Sequence, residues 1–413
     1  MLKIPPALHH RRFRLLWLGL LISVAGTQMQ VSALLWHIST LSDEPIALGG
    51  IGLARILPVV IFSLISGSVA DVYNRRKIMF FTQGSMTLIA LALGWLTLRG
   101  DISIWFIYLL TAVQAVANAF DLPARQALVP NLVPIQDLPN AFSLQSIAYQ
   151  AGAIVGPALG GLVIAYFGQA YVYLINAVSF LAVLAALIMM GSVEQKVSPT
   201  MQRAVSLTAI KEGIHFIFHQ PLILSTMLID FFATFFSSAN TLMPLIARNV
   251  LGVGVVEYGW LNAAQSIGAV SAALVISQFG QIRRQGPLFL ASVFAFGVST
   301  ILFGLAPSFF LAMLALILVG ASDSVSTIIR NTIRQLQTPD YIRGRMTSIN
   351  QIFFMGGPQL GEVEAGAVAQ FFGPVFAVIS GGVGCLLAVG LIARRWPQLR
   401  TYNGDEPVMA GTL

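Results

Sequence analysis

The sequence predicts an all-α integral membrane protein with twelve transmembrane helices in two pseudo-symmetric six-helix bundles. Three observations carry this. Of the 413 residues, 56% are hydrophobic and only 9% charged, whereas a soluble domain usually has ~25% charged residues. The apolar residues gather into twelve runs, each close to the ~20 residues that cross a ~30 Å hydrocarbon core. The chain also repeats itself: shifted by 205 positions, residues 125–168 give ten identities over 44 positions without a gap. The matches include Arg125/Arg330, Pro134/Pro339, Gly152/Gly357, Gly156/Gly361, Gly161/Gly366 and Gly168/Gly373. Helix-shaping glycines and a proline dominate, so the halves read as two copies of one membrane module facing each other across a shared site.

In chain order the spans are 14–37, 46–69, 78–98, 102–122, 140–166, 170–191, 221–246, 257–278, 287–306, 308–329, 346–370 and 373–394. The first follows Arg11, Arg12 and Arg14 and exceeds the length of a signal-peptide core, so it reads as a retained span. Between spans six and seven lies a charged stretch with Glu194, Lys196, Arg203, Lys211 and Glu212. Within it Leu207, Ile210, Ile214 and Phe218 fall near helical spacing, the pattern of a helix lying on the membrane surface. The expected organisation is a six-helix bundle over 1–191, a cytoplasmic linker over 192–220, a second bundle over 221–395 and a cytoplasmic tail over 396–413. On this layout 20 of the 23 Lys and Arg fall on one side, among them Arg75, Arg76, Arg125, Arg330 and Arg334. The exceptions are Arg55, Arg99 and Arg248, and the positive-inside rule puts both termini in the cytoplasm. The net charge of +7 is then a topology signal and not a nucleic-acid footprint; contact with anionic membrane lipid comes as a by-product.

Other classes are excluded by what is missing. The single cysteine, Cys385, sits in an apolar run, which rules out a disulfide scaffold and a cysteine-based metal site. No phosphate-cradling G-x-x-x-x-G-K-[ST] loop occurs, so no ATP-driven pump is expected. The five His lie near span ends. No catalytic constellation, metal or cofactor is expected, and the chain does not read as an enzyme.

Two stretches carry a family resemblance. Between spans two and three the chain reads Gly67-Ser-Val-Ala-Asp71-Val-Tyr-Asn74-Arg75-Arg76-Lys77, and span five reads Gly152-Ala-Ile-Val-Gly156-Pro157-Ala-Leu-Gly160-Gly161. These resemble two signatures of the major facilitator superfamily: its cytoplasmic loop motif and a helix-five motif associated with its exporters. The resemblance covers nearly the whole chain. Gly356-Gly-Pro358-Gln-Leu-Gly361-Glu362-Val-Glu364-Ala-Gly366 in span eleven is similar to a subgroup that includes siderophore (enterobactin-type) exporters and macrolide efflux pumps. The resemblance implies the major facilitator fold in a bacterial inner membrane. It also implies secondary active export of a small amphipathic organic molecule by alternating access, as a proton antiporter and a monomer. Alternatives on the same scaffold are a lipid or lipid-conjugate translocase and an uncoupled facilitator. One departure bears on coupling: span four reads Leu109-Leu-Thr111-Ala-Val-Gln114-Ala-Val-Ala-Asn118, without the Arg that proton-coupled members commonly have there.

The residues also have readings of their own. Gly67 allows close approach of span two to a neighbour, and Asp71 can meet the positive start of span eleven near Met346. Arg75 can pair with Asp121 as a cytoplasmic latch, with Arg76 beside it, or these are loop charges obeying the orientation rule. Asn74 tolerates a left-handed turn. Gly152, Gly156 and Gly160 share one helix face, with Gly161 next to it, and allow backbone-to-backbone packing. Pro157 bends the helix.

A charge at mid-membrane costs ~2.5–3.5 kcal/mol on insertion scales, so each deep charge should face a cavity or a partner. The deep ones are Arg55, Asp230, Asp323, Glu362 and Glu364. Asp230 lies ~14 Å along its helix from Pro221, with Thr226, Thr234 and Ser237 on one stripe. Read as an unpaired buried acid, it is the first candidate for a proton or substrate-cation site. Glu362 aligns with Pro157 under the repeat; Glu364 is ~200° away around the helix. Asp323 can equally serve a local interaction with Ser322, Ser326 and Thr327, and Arg55 can simply neutralise an acid. Gln28, Gln145, Tyr149, Asn262 and Gln265, with Trp36, Phe120, Trp260, Phe353 and Phe354 nearby, offer an uncharged polar and aromatic lining suited to an amphipathic organic substrate.

Overall fold

The computed structural model describes residues 5–193, 195, 207–279, 282–339 and 342–404. Helices account for its regular structure, with no strand among the described residues. Every backbone polar group in hydrocarbon has to be satisfied within its own segment, which leaves helices as the natural solution for runs of this kind. The long helices are α1 (Arg11–Leu41), α2 (Pro45–Val72), α3 (Arg75–Arg99), α4 (Ile104–Leu128), α5 (Leu138–Phe167), α6 (Gln169–Met190) and α7 (Pro221–Phe236). They continue with α8 (Val255–Ile276), α9 (Gln285–Gly304), α10 (Phe309–Gln337), α11 (Arg343–Phe372) and α12 (Pro374–Arg395). Eleven of these segments are long and apolar enough to cross a membrane. The remaining one, α11, has 30 residues and carries Glu362 and Glu364. Large apolar side chains such as Phe81, Trp105, Phe310 and Phe371 stand about 80% exposed, as a lipid-facing surface requires.

The chain divides into two compact units. Unit 1 comprises 1–41, 54–203 and 255–263; unit 2 comprises 42–53, 204–254 and 264–413. In unit 1, α1 packs on α5 and α6, and α3 packs on α4 and α6. Phe13, Leu16, Met79, Leu128, Leu144 and Leu187 form the core at one end. In unit 2, α9 packs on α10 and α12, and α7 packs on α11 and α12, around Ile229, Phe289, Ile333 and Cys385. The expected linker helix is present as Leu207–Phe218. Its Ile217 is buried against Ile223, Met227 and Met346, while Ile214 and Phe218 are exposed; the side chains of Leu207, Ile210 and Lys211 lie outside the described residues, as do Lys196 and Arg203.

Two elements differ from their expected form. Span seven is not one continuous helix: α7 ends at Phe236, and a 3-10 turn (Ala239–Leu242), a single α turn and a π turn (Ile246–Val250) follow. Ser238 Oγ binds the Thr234 carbonyl at 2.6 Å, competing with the backbone ladder, and Pro244 has no N–H to extend it. Span ten, expected to stop at 329, runs as α10 to Gln337. Arg330 and Arg334 are therefore helical and only 3% exposed, not loop charges.

In unit 2, glycines set how closely the helices approach. A Cβ on Gly320 would strike the Gln265 carbonyl, and one on Gly268 the Ile317 carbonyl, so α8 and α10 meet backbone to backbone. Around Gly67, by contrast, nothing stands within 4 Å of where a Cβ would be, so the close approach expected there does not occur. Gly320→Val is expected to cost about 1–3 kcal/mol by overpacking and to lower the thermal midpoint of the purified protein. Gly67→Ala, measured by the same thermal scan in detergent, is expected to leave it unchanged.

Candidate functional site

Unit 2 holds a buried ion cluster. Asp230 on α7 is 2% exposed and meets Arg330 Nη1 of α10 at 2.5 Å. Arg334, one turn further along α10, brings Nη2 to 3.6 Å from the other carboxylate oxygen and donates from Nε to Thr226 Oγ1 at 3.4 Å. The same Arg330 Nη1 lies 3.9 Å from Asp323, whose side chain is about half exposed. Arg330 and Asp323 are seven positions apart, two turns on one helix face, so a guanidinium links a half-exposed acid to a fully buried one. The Phe354 ring of α11 lies 5.9 Å from the Arg330 guanidinium. Arg330 Nε is buried without a hydrogen bond among the described residues, so the guanidinium is not fully satisfied in this arrangement.

This corrects the reading of Asp230 as an unpaired acid: it has two cationic partners about 100 positions away in the chain. The stripe beside it is also engaged internally. Thr226 is fully buried and donates to the Ile223 carbonyl at 2.8 Å, and Thr234 donates to the Asp230 carbonyl at 2.8 Å.

The expected latch in unit 1 takes a different form. Asp121 does not meet Arg75. It accepts from Thr82 Oγ1 at 2.8 Å and Gln83 Nε2 at 2.9 Å, with Arg125 Nε at 3.8 Å one turn along. Arg75 instead donates from Nη1 to the Ala127 carbonyl and to Asn131 Oδ1, both at 2.8 Å. Helix-end carbonyls attract a cation, and they lie nearer to Arg75 than the buried carboxylate. Arg76 donates to the Leu187 carbonyl at 2.7 Å, again at a helix end. Asn74 is extended, not left-handed (φ −62°, ψ 110°), and caps α3 by accepting from the Lys77 N–H. The Asp71 side chain lies outside the described residues.

The other candidates are scattered. Glu362 is half-buried on α11, with Oε2 3.2 Å from the Cβ position of Gly52 at the start of α2. Gly49 and Gly366 make the neighbouring contact in unit 2. Glu364, also half-buried, shares no described contact with the Asp230 cluster. In unit 1, Arg55 lies within electrostatic reach of the buried Tyr258. The span-five glycines are closely packed. Gly152 and Gly156 face the α1 backbone at Val24–Met29, Gly160 meets Met29, and Gly161 faces Val255 and Gly259. A Cβ on Gly259 would in turn strike the Pro157 carbonyl. Of the lining candidates, Asn262 donates to the Tyr258 carbonyl at 3.0 Å, and Gln265 pairs with Asn240 through both amide groups. Gln28 and Gln145 are half-buried and Tyr149 exposed. None of the five lines the 890 Å³ groove of unit 1.

A buried amide network was not foreseen. Gln30 donates to Gln114 at 2.6 Å, Asn176 donates to Gln30 at 2.7 Å, and Ser179 donates to Asn176 Oδ1 at 2.8 Å. It joins α1, α4 and α6 at the depth where span four lacks a basic residue. Three buried amides recurring inside apolar runs are the signal that points to it.

Solved structures share this fold. A bacterial homolog of the human lysosomal transporter Spinster, inward-facing and unoccupied, superposes with a TM-score of 0.69 at 14% identity, over 97% of both chains. A bacterial homologue of the iron transporter ferroportin, inward-facing, gives 0.67 at 16% identity over 94% of this chain and 98% of its own. These likenesses show the fold. A family model described as transmembrane secretion effector matches residues 5–407, and the chain belongs to that family. It is a multi-pass membrane transporter of the major facilitator type that exports a substrate, and not an enzyme. Among curated relatives, the enterobactin exporter EntS of Shigella boydii serotype 18 (strain CDC 3083-94 / BS512) is 27% identical over 344 residues, 83% of this chain and 82% of its own. EntS of Escherichia coli (strain SMS-3-5 / SECEC) is 26% identical over 349 residues, 84% and 83% of the two chains.

The two acids are expected to respond differently to truncation. Asp230→Ala leaves two buried guanidiniums with no buried counter-charge and should cost about 3–5 kcal/mol. Asp121→Ala should cost less, about 1–3 kcal/mol for hydrogen bonds lost by neutral donors. Thermal unfolding of both variants measures the difference. A double-mutant cycle between Arg75 and Asp121 is expected to give coupling within ~0.5 kcal/mol of zero.

Proposed function

We propose that this protein exports a small amphipathic organic molecule, siderophore-like or drug-like, by alternating access coupled to proton antiport. The observation that supports this reading best is Asp230, fully buried and clamped by Arg330 and Arg334 of another helix. As a carboxylate it ties α7 to α10. Once protonated it loses the attraction to both guanidiniums, and Arg330 keeps Asp323 as its remaining partner. One proton thereby changes which helices are tied together, which is the two-state element that coupling requires. The halves 1–191 and 221–395 are the bodies that rock, with the glycine-faced, proline-bent α5 as a packing surface. Both termini are in the cytoplasm, the membrane is the bacterial inner membrane, and the working unit is a monomer. A siderophore-like substrate is favoured by the relatives named as enterobactin exporters. The amide and aromatic side chains at Gln28, Gln145, Tyr149, Asn262 and Gln265 suit such a molecule.

Proteoliposomes with an imposed pH gradient test this, with enterobactin and a macrolide as trial substrates. Asp230→Asn and Glu362→Gln are compared with the wild type. Gradient-driven export by the wild type is expected, with at least a tenfold loss in Asp230→Asn and retained gradient-independent exchange. If both variants keep gradient-driven transport, these acids do not carry the coupling. Transport by the wild type that ignores the gradient identifies a facilitator.

A further inference from the structure

In unit 1 a cationic pocket and an apolar groove lie along the same two helix faces. The pocket, about 350 Å³, is formed where α1 begins and α6 ends, by His10, Arg11, Arg12, Leu15, Leu132 and the Met189–Met190 pair. His10 is committed to Asp137 at 2.7 Å. Arg11 and Arg12 are exposed, and no described acid forms an ion pair with either. No acidic residue occupies the first turn of α1. Two cations therefore sit at the positive end of a 31-residue helix, an arrangement in which like charge is unfavourable until an anion joins it.

The groove is larger and of opposite character, about 890 Å³, lined by Ile22, Ala25 and Met29 of α1 and by Tyr171, Val178 and Ala182 of α6, among others. At 100° per residue, Arg11, Leu15, Leu18, Ile22, Ala25 and Met29 fall within ~40° of one line along α1. On α6, Tyr171, Ile175, Val178, Ala182 and Met189 share a face in the same way. Leu18 and Ile22 are about half exposed, so the stripe between pocket and groove is open and apolar. From Arg11 to Ala25 is ~21 Å along the helix, and one leaflet with its headgroups is ~20–22 Å deep.

We propose that this composite site binds an anionic phospholipid, with the phosphate between Arg11 and Arg12 and an acyl chain along the α1–α6 groove. Charge complementarity selects the headgroup, and the apolar groove running away from it distinguishes a lipid from a free phosphate. The site goes beyond the transport reading and does not depend on it.

The test uses the full-length protein in detergent, with binding followed by native mass spectrometry and by the shift in thermal midpoint. The probes are dioleoyl phosphatidylglycerol, dioleoyl phosphatidylcholine and glycerol 3-phosphate. The phosphatidylglycerol is expected to bind roughly tenfold or more tightly than the phosphatidylcholine, given two favourable basic contacts. Arg11→Gln/Arg12→Gln should abolish that preference without changing the lipid-free thermal midpoint, and Ala182→Phe should weaken both lipids. Arg283→Gln/Arg284→Gln, which removes the same charge from unit 2, should keep the preference. Equal binding of the two lipids by the wild type overturns the proposal. So does a preference that survives in Arg11→Gln/Arg12→Gln or is lost equally in Arg283→Gln/Arg284→Gln. Glycerol 3-phosphate matching the phosphatidylglycerol would reduce the site to a simple anion pocket and overturn the lipid assignment.

Discussion

Removing a carboxylate and two guanidiniums from water is tolerable only while they stay together. That constraint organises the charged centre of unit 2. Each ion alone in a low-dielectric interior carries a penalty of several kcal/mol, and α10 brings two of them to the level of Asp230. The pairing fixes α10 beside α7, and α7 is already held against α11 and α12. The break after Phe236 belongs to the same region: Ser238 binds both the Thr234 carbonyl and the Pro358 carbonyl of α11. Strong charge pairing thus adjoins a discontinuous helix, where irregular backbone is tolerated because protein surrounds it.

Helical architecture was largely legible in the chain because lipid leaves few solutions. Any run of ~20 apolar residues must be a helix that satisfies its own backbone. Asp230 stood out for the same reason, as a charge the membrane does not tolerate without cause. Its partners were not legible. Arg330 and Arg334 follow the predicted end of span ten and fit the positive-inside pattern, so periodicity alone leaves them in a loop. In the structure that last segment of α10 is helical and meets an acid about 100 positions earlier. The Arg75–Asp121 pairing failed for a related reason. Sequence spacing identifies two charges that could meet, but not the nearer carbonyl, amide and hydroxyl groups that compete for each. Asn74 shows the same limit at short range, where an amide that tolerates a left-handed turn also makes a good N-cap.

The repeated halves share their glycines more faithfully than their polar chemistry. Arg125 and Arg330 match under the 205-residue shift, yet Arg125 meets an acid on its own helix while Arg330 reaches across to α7. Packing glycines are constrained by backbone geometry, because at Gly156 or Gly320 even a methyl group meets a main-chain atom. Charged partners are constrained only to be matched, and a match can be made from several directions. A duplicated fold can therefore keep its helix contacts while its electrostatics diverge.

That divergence is plainest at the buried polar junctions of the two units. At the depth of Gln114, α1, α4 and α6 meet through Gln30, Gln114, Asn176 and Ser179, all uncharged. Amides and hydroxyls do not titrate in the physiological range, so this junction keeps the same hydrogen bonds whatever the proton gradient. In unit 2 the junction at Asp230 is ionic, with Arg330 and Arg334 as its partners. Buried neutral networks rigidify when every member is satisfied, whereas an ion cluster with an unsatisfied guanidinium nitrogen has a second arrangement within reach. Unit 1 is thus tied at this junction by neutral hydrogen bonds, and unit 2 by charge. The amide junction around Gln114 and the ion cluster on α10 divide neutral and charged chemistry between the two units.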